Sequence, residues 1–441
     1  MSKNEPIDRQ GESPARSAEK GAQRHQSAIL TALAGLVGNV LEWFDFAVYG
    51  YFATDIGMQF FPQEDKVAQQ LLAFAVFALG FFARPVGSLV LGLFGDRVGR
   101  KPLLVLSIAL MGGATLLIGL LPGYAQIGVA APILLVFLRL IQGFSLGGEY
   151  TGSMVYTTEK ASPLMRGIVS SSTAVGTTMG FILGSGSAWL INSLLPGEAV
   201  SSYGWRIPFI ASVIICIFGN YIRRGITETE AGVKAATARP ALWPSLAADW
   251  LPGIQTFGIV GMSNAAYYLT FTYMVERRKA MSGETGDIFL LANTLTLIIV
   301  LFMKPLGGWL SDRVGRRRLM LILTSATMAL VYFAQQFMLF GSPAWFTLGQ
   351  VMLALPLGMA LGLQGAMVVE IFPLSTRVTS MSFAYSVTLA LTGGMAPLVA
   401  TWLIERLHQP LASAFYIIAL GAIGLALMFP MAETNKRPLD V

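Results

Sequence analysis

Charge is scarce in this sequence. Asp, Glu, Lys and Arg make up 12% of its 441 residues, where a soluble domain carries about 25%, and that shortage excludes an ordinary soluble protein. Cys216 is the one cysteine, so an intramolecular disulfide and a thiolate zinc site are both excluded. The two histidines, His25 and His408, fall in a polar tail and an expected loop, which leaves carboxylates to handle any proton inside the apolar core. There is no G-x-x-x-x-G-K-[ST] loop, so direct ATP drive has no support. The net charge of +6 is spread over short loops between apolar stretches rather than gathered on a basic face, which argues against nucleic-acid binding.

What is present is apolar length. Hydrophobic residues make up 54% of the chain, in runs of about twenty, too long and too continuous for the alternating ten-residue strands of a membrane barrel. Twelve helices of about 20 residues would use about 240 positions. Hydropathy predicts spans near Ala28–Ala53, Val67–Gly95, Pro102–Leu121, Ala130–Tyr156, Gly167–Leu194 and Trp205–Ile222. A second six follow near Trp250–Val275, Gly286–Leu310, Leu319–Phe340, Pro343–Ile371, Val378–Glu405 and Leu411–Met431. The expected organisation is a disordered cytoplasmic tail over 1–27, helical bundles over 28–222 and 249–431, a cytoplasmic loop over 223–248 and a short tail over 432–441. Most of the 30 Lys and Arg residues fall on the side of the N-terminal tail. Lys66, Arg277, Arg278, Lys279 and Arg406 fall opposite, so the positive-inside rule predicts cytoplasmic termini and a multi-pass inner-membrane protein.

The two halves repeat. G-L-F-G-D-R-V-G-R-K runs from Gly92 to Lys101 and G-W-L-S-D-R-V-G-R-R from Gly308 to Arg317. Glu159 and Arg166 after span four recur as Glu370 and Arg377 after span ten at nearly the same offset. Parallel repeats of this kind suggest two halves rocking about a central site.

The doubled G-x-x-x-D-R-x-G-R-[RK] loop resembles the signature of the major facilitator superfamily. G-N-V-L-E-W-F-D-F-A-V-Y-G (Gly38–Gly50), R-L-I-Q-G-F-S-L-G-G-E-Y (Arg139–Tyr150) and G-W-R-I-P-F (Gly204–Phe209) resemble its metabolite:proton symporters, carriers of citrate and tricarballylate, 2-oxoglutarate, shikimate, proline or betaine. The resemblance implies an all-α membrane fold of twelve helices in two six-helix halves and a central cavity lined by spans one, four, seven and ten. It also implies a loop charge network holding one conformation: Asp96, Arg97, Arg100, Asp312, Arg313 and Arg316, with Glu159, Arg166, Glu370 and Arg377. Those arginines also serve as topology signals, but the two aspartates at fixed spacing are not explained that way. Leu93 stands where the family often has His, so no proton role is expected there. The chain's end at Val441, without a long coiled-coil extension, disfavours osmosensing.

Charges within the spans are expensive and are therefore candidate sites. Glu42, Asp45 and Tyr49 share one helical face with Asn39 a turn earlier. Arg139 in span four should lie at the height of Asp45, so the two are expected to pair. Gln142 lies one turn below Arg139, and Glu149 nearer the cytoplasmic half. Asn264, Tyr267 and Tyr268 in span seven and Gln364 in span ten offer hydrogen bonds and an aromatic wall, or simple interhelical packing. Arg84 and Lys304, each before a proline, are either further cations for a carboxylate or cations held by a neighbouring carbonyl. Gly176, Gly180 and Gly184 form a small-residue stripe suited to close helix packing.

The resulting expectation is a monomeric proton-driven symporter of a small carboxylate-bearing acid or zwitterion, working in a lipid bilayer with the proton as coupling ion and neither metal nor organic cofactor. Arg139 would bind the carboxylate, assisted by Gln142, Tyr49, Asn39, Asn264, Tyr267, Tyr268 and Gln364. Asp45 or Glu42 would carry the proton, with Glu149 a third candidate. The competing readings are a proton-coupled exporter, a metabolite sensor without flux and, last, a membrane enzyme.

Overall fold

The computed structural model describes residues 39–62, 65–98, 100–224, 242–282, 286–435 and 439. The expected tail over 1–27, the beginning of span one and 225–241 of the expected central loop lie outside them. Among the described residues the secondary structure is helical, with no strand. Span one is a helix over 39–51 followed by Ala53–Phe60, which ends seven residues past the predicted end at Ala53. Spans two, three, five and six are Lys66–Val98, Arg100–Leu120, Arg166–Leu194 and Arg206–Arg224. Spans eight, nine, ten and twelve are Asp287–Val314, Arg316–Phe340, Pro343–Ile371 and Ala412–Met428. Among the described residues, seven helical segments are long and apolar enough to cross a membrane unaided, running from Lys66–Leu91 to Arg377–Leu407.

Span four is interrupted, and spans seven and eleven change helical pitch, where the sequence suggests uniform helices. Span four is Ala130–Ser145 and then Glu149–Lys160, because Gly148 takes a left-handed φ of 111° that only glycine adopts without strain. Span seven passes from Trp250–Tyr268 through a π turn at Leu269–Tyr273 into Met274–Ser282. Span eleven passes from Arg377–Leu389 through another at Ala390–Gly394 into Ala396–Leu407. A short helix, Leu242–Ala248, also occupies part of the stretch expected to be loop.

Close backbone contact sets the charged side chains in place. A Cβ on Gly143 would fall on the Gly80 carbonyl, and one on Gly147 on the backbone at Gly87 and Ser88. Spans two and four therefore touch along the segment carrying Arg84, Arg139 and Gln142. The expected stripe on span five does the same against span one, with Gly180 on Val40 and Gly184 on Ala47. Replacing Gly143 with valine puts side chain onto backbone that cannot yield, at a cost above the ~1–3 kcal/mol of ordinary overpacking. Gly143→Val is expected to abolish the monodisperse peak on size exclusion. Gly113→Val, whose Cβ meets nothing within 4 Å, should keep it; equal behaviour of the two would contradict this packing.

Candidate functional site

The buried face of span one carries two carboxylates, and each finds its own arginine. Arg139 Nη1 donates to Asp45 Oδ2 at 2.9 Å and to Gln142 Oε1 at 2.8 Å. Gln142 Nε2 donates in turn to Asp45 Oδ1 and to Thr115 Oγ1, both at 2.8 Å. The expected Asp45–Arg139 pair is thus present, closed into a triangle by Gln142, and all three side chains are buried. The Tyr49 ring lies under the Arg139 guanidinium, 3.9 Å from its carbon, while the hydroxyl donates to the Ala73 carbonyl. A second pair lies one turn earlier, where Arg84 Nη1 donates to Glu42 Oε1 at 2.7 Å. The Arg84 guanidinium also sits 4.6 Å from the Phe46 and Phe81 ring centres and 5.4 Å from that of Trp43, an arrangement that favours a cation on aromatic faces.

The pairs differ in how completely they are satisfied. Both oxygens of Asp45 accept hydrogen bonds, whereas Glu42 Oε2 has no partner among the described residues; Nε and Nη2 of Arg84 and of Arg139 alike have none. Asn39 is buried on the same face. Glu149 opens the second helix of span four, half-buried.

Beside these pairs, where the halves meet, is a cavity of about 10 Å³, room for roughly one water. Trp43, Tyr150, Phe181, Tyr267 and Tyr385 wall it, and Asn264, Gln364, Thr177 and Lys304 bring polar groups to it. Phe181 meets Tyr267 edge to face with centroids 4.9 Å apart. Gln364 Nε2 donates to the Tyr385 hydroxyl at 3.3 Å, and its Oε1 accepts from Ser263 at 3.2 Å and from Asn264 at 3.4 Å. Of the residues singled out in the sequence, Asn264, Tyr267, Gln364 and Lys304 line this space. Asn39, Tyr49, Arg139, Gln142 and Tyr268 stand behind its wall, Tyr268 edge to face with Phe77 and Phe81. Trp43 and Tyr150 lie inside the motif runs beside Glu42 and Glu149, and that adjacency was the available signal for them.

Both ends of the half interface are closed. At the end bearing the D-R-x-G-R loops, Asp312 accepts from the amides of Gly167 at 2.8 Å and Ile168 at 3.0 Å, so a carboxylate from span eight caps the start of span five. That position is favoured by the unpaired amides and dipole of a helix N-terminus. Arg316 Nη1 holds the same carboxylate at 2.7 Å, and its Nη2 reaches Glu370 at 3.2 Å. Glu370 faces Arg166 of the other half at 3.9 Å, and Arg377 pairs with Glu159 across the halves at 2.8 Å. Backbone contact between Gly167 and Gly308, which a Cβ on either would prevent, explains the glycine that opens the second loop motif. Arg313 is exposed and lies over the Trp309 ring at 3.9 Å. The side chains of Asp96, Arg97 and Arg100 lie outside the described residues.

The opposite end holds a cluster not anticipated from the sequence. Lys279 Nζ lies 3.3 Å from Asp55 Oδ2 and 3.1 Å from Glu276 Oε2, and donates to the Tyr51 carbonyl at 3.1 Å. Glu276 Oε1 accepts from the Thr54 amide at 3.1 Å, while the Tyr51 hydroxyl donates to the Phe271 carbonyl at 2.7 Å. Asp55 and Tyr51 belong to span one, Glu276 and Lys279 to span seven, so these bonds also cross the halves. Among the described residues, bonds thus cross the halves at both ends, with the water-sized space between them.

Known proteins resemble the chain over nearly its whole length. Residues 30–231 match the model for sugar (and other) transporters, and 256–440 match the model for the major facilitator superfamily. The proline/betaine transporter of Salmonella typhimurium is 34% identical over 431 residues, covering 92% of this chain and 84% of that one. The citrate-proton symporter of Klebsiella pneumoniae is 34% identical over 392 residues, covering 88% of each. A solved proton:xylose symporter superposes with a TM-score of 0.72 at 17% identity, covering 94% of this chain and 98% of that one; at this identity the likeness speaks for the fold.

Removing the shared carboxylate should loosen one end selectively. In a Cys216→Ser, Ala174→Cys background, maleimide labelling of the cavity-lining position 174 should rise in Asp312→Asn by about tenfold or more, reflecting hydrogen bonds to a charged group worth about 1.5–3 kcal/mol each. The increase should come from the face bearing the D-R-V-G-R-R loop. Lys279→Gln should raise labelling from the other face, and labelling unchanged in both would contradict the two-latch arrangement.

Proposed function

Because the chain belongs to the major facilitator superfamily and, within it, to the metabolite:proton symporters, we propose that it takes up a small carboxylate-bearing metabolite, an acid or a zwitterion, together with a proton. It is a multi-pass inner-membrane transporter and not an enzyme. In the proposed orientation the termini and the D-R-x-G-R latch are cytoplasmic, and the monomer is the working unit.

One observation carries the coupling: the half-satisfied Glu42–Arg84 pair borders the cavity through Trp43. A proton adds to Glu42 Oε2 without displacing a hydrogen bond, whereas Asp45 has no such oxygen. Protonation removes the negative partner of Arg84 and leaves a net positive charge beside the cavity, which favours an anionic group there. Proton and carboxylate then bind cooperatively, and by linkage each raises the affinity for the other. In this scheme Glu42 carries the proton, while the Asp45–Arg139–Gln142 triangle ties spans one and four together as a rigid wall. A zwitterion crossing with one proton carries one net charge, for which 100 mV supplies about 2.3 kcal/mol, a concentration ratio of nearly fifty; a monoanion crossing with one proton carries none and draws on the pH difference alone.

Alternating access follows from the two closed ends. The Asp312, Glu370 and Glu159 bonds must break to open one side, and the Asp55–Lys279–Glu276 cluster to open the other. Each set keeps its own side closed while the other is released.

Glu42→Gln separates coupling from passage. In proteoliposomes offered citrate, 2-oxoglutarate, shikimate, proline and betaine, the variant should keep substrate exchange across the membrane. Its uphill accumulation under an imposed proton gradient should fall from a ratio of tens to about one. Undiminished accumulation in Glu42→Gln would overturn Glu42 as the proton carrier.

A further inference from the structure

Six cations are buried among the described residues: Arg84, Arg139, Arg166, Lys304, Arg316 and Arg377. Five of them face a carboxylate, namely Glu42, Asp45, Glu370, Asp312 with Glu370, and Glu159. Lys304 does not. It is 2% exposed, and its Nζ donates to the Ala174 carbonyl at 2.7 Å and to Thr177 Oγ1 at 2.8 Å, with the Tyr267 ring centre 5.6 Å away. No carboxylate lies within ion-pairing distance of it among the described residues. A buried ammonium without a counter-charge is costly, and this one is also the cation that lines the central cavity.

We infer that Lys304 is the residue that receives the substrate's carboxylate, the bound anion being its missing counter-ion. This rests on reading the cavity as the substrate site. An ammonium has three donors; two are engaged by neutral oxygens that a carboxylate outcompetes, since charge-assisted bonds are roughly twice as strong as neutral ones. Both of those oxygens belong to span five, while Lys304 belongs to span eight, so its bonds cross the halves. A carboxylate that takes Lys304 therefore weakens a tie between the halves at the moment of binding, linking occupancy to rocking. The aromatic wall opposite, Trp43, Tyr150, Phe181, Tyr267 and Tyr385, faces the remainder of the substrate. Arg139 is already held by Asp45 and Gln142 behind that wall and makes no such contact.

The test is equilibrium binding to the full chain in nanodiscs without a gradient, using citrate, 2-oxoglutarate, shikimate, proline and betaine, each beside its carboxamide. At least one acid should bind the wild type and outbind its carboxamide. Lys304→Gln should weaken that acid by about 30-fold or more, the lower end of the loss expected when one partner of a buried charge pair between two molecules is truncated, and shift the carboxamide by less than threefold. Thr177→Val, which removes one competing oxygen, should tighten the acid, a change that a folding defect does not produce. Equal affinity of Lys304→Gln and wild type for the acid overturns the inference. So does equal affinity of acid and carboxamide for the wild type, or failure of every acid to bind. A wild type that binds through Lys304 yet moves no protons would overturn the symport reading alone.

Discussion

The structure is organised by the cost of placing charge where water is excluded. Each ion in a low-dielectric interior must find a partner or be expelled, and the helices are arranged so that partners meet. Glu42 and Asp45, one turn apart on span one, each take an arginine from a different helix, Arg84 from span two and Arg139 from span four. Those two pairs fix three helices of one half around a common face. The glycines along spans two, four and five bring the backbones near enough for side chains of this length to reach. Aromatic faces of Trp43, Phe46, Tyr49 and Phe81 cover the guanidinium planes of two arginines that each hydrogen-bond through Nη1 alone.

The same constraint governs motion. Apart from the bond from the Tyr51 hydroxyl to the Phe271 carbonyl, the ties described at the two ends are ionic or charge-assisted, and each involves groups that water can solvate once that end opens. Opening one end therefore exchanges protein partners for water at a modest net cost, whereas opening both would expose the whole interface. Asp312 makes two of these cross-half bonds, to the amides of Gly167 and Ile168, and Arg316 of its own half holds the carboxylate in place. Glu159 is about one-third exposed, so its pair with Arg377 is already partly screened and contributes less.

Hydropathy located most of the described spans to within a few residues, because twenty consecutive apolar residues admit one interpretation in a membrane; spans one and seven end seven residues later than predicted. Helix phase and height were enough to anticipate Asp45 with Arg139. They did not pair Glu42 with Arg84, since the rotation of span two about its axis depends on Gly80 and Gly87 meeting span four, a tertiary contact. The Asp55–Lys279–Glu276 cluster escaped notice because Lys279 reads as a loop cation by charge and position. Its burial depends on spans one and seven continuing as helices to Phe60 and Ser282, past the ends of their apolar runs. The cavity's aromatic wall was half legible. Tyr267 stood out beside Asn264, but Phe181 and Tyr385 are indistinguishable in sequence from the other buried rings of the bundle.

The central claim is that entry of a small carboxylate-bearing metabolite carries a proton with it. Wild-type protein in proteoliposomes holding a pH-sensitive dye, given citrate, tricarballylate, 2-oxoglutarate, shikimate, proline and betaine one at a time, tests this directly. The account predicts that at least one compound acidifies the lumen, at a rate that saturates with its concentration and is absent from protein-free vesicles. Protein-dependent movement of a compound with no accompanying proton would contradict it.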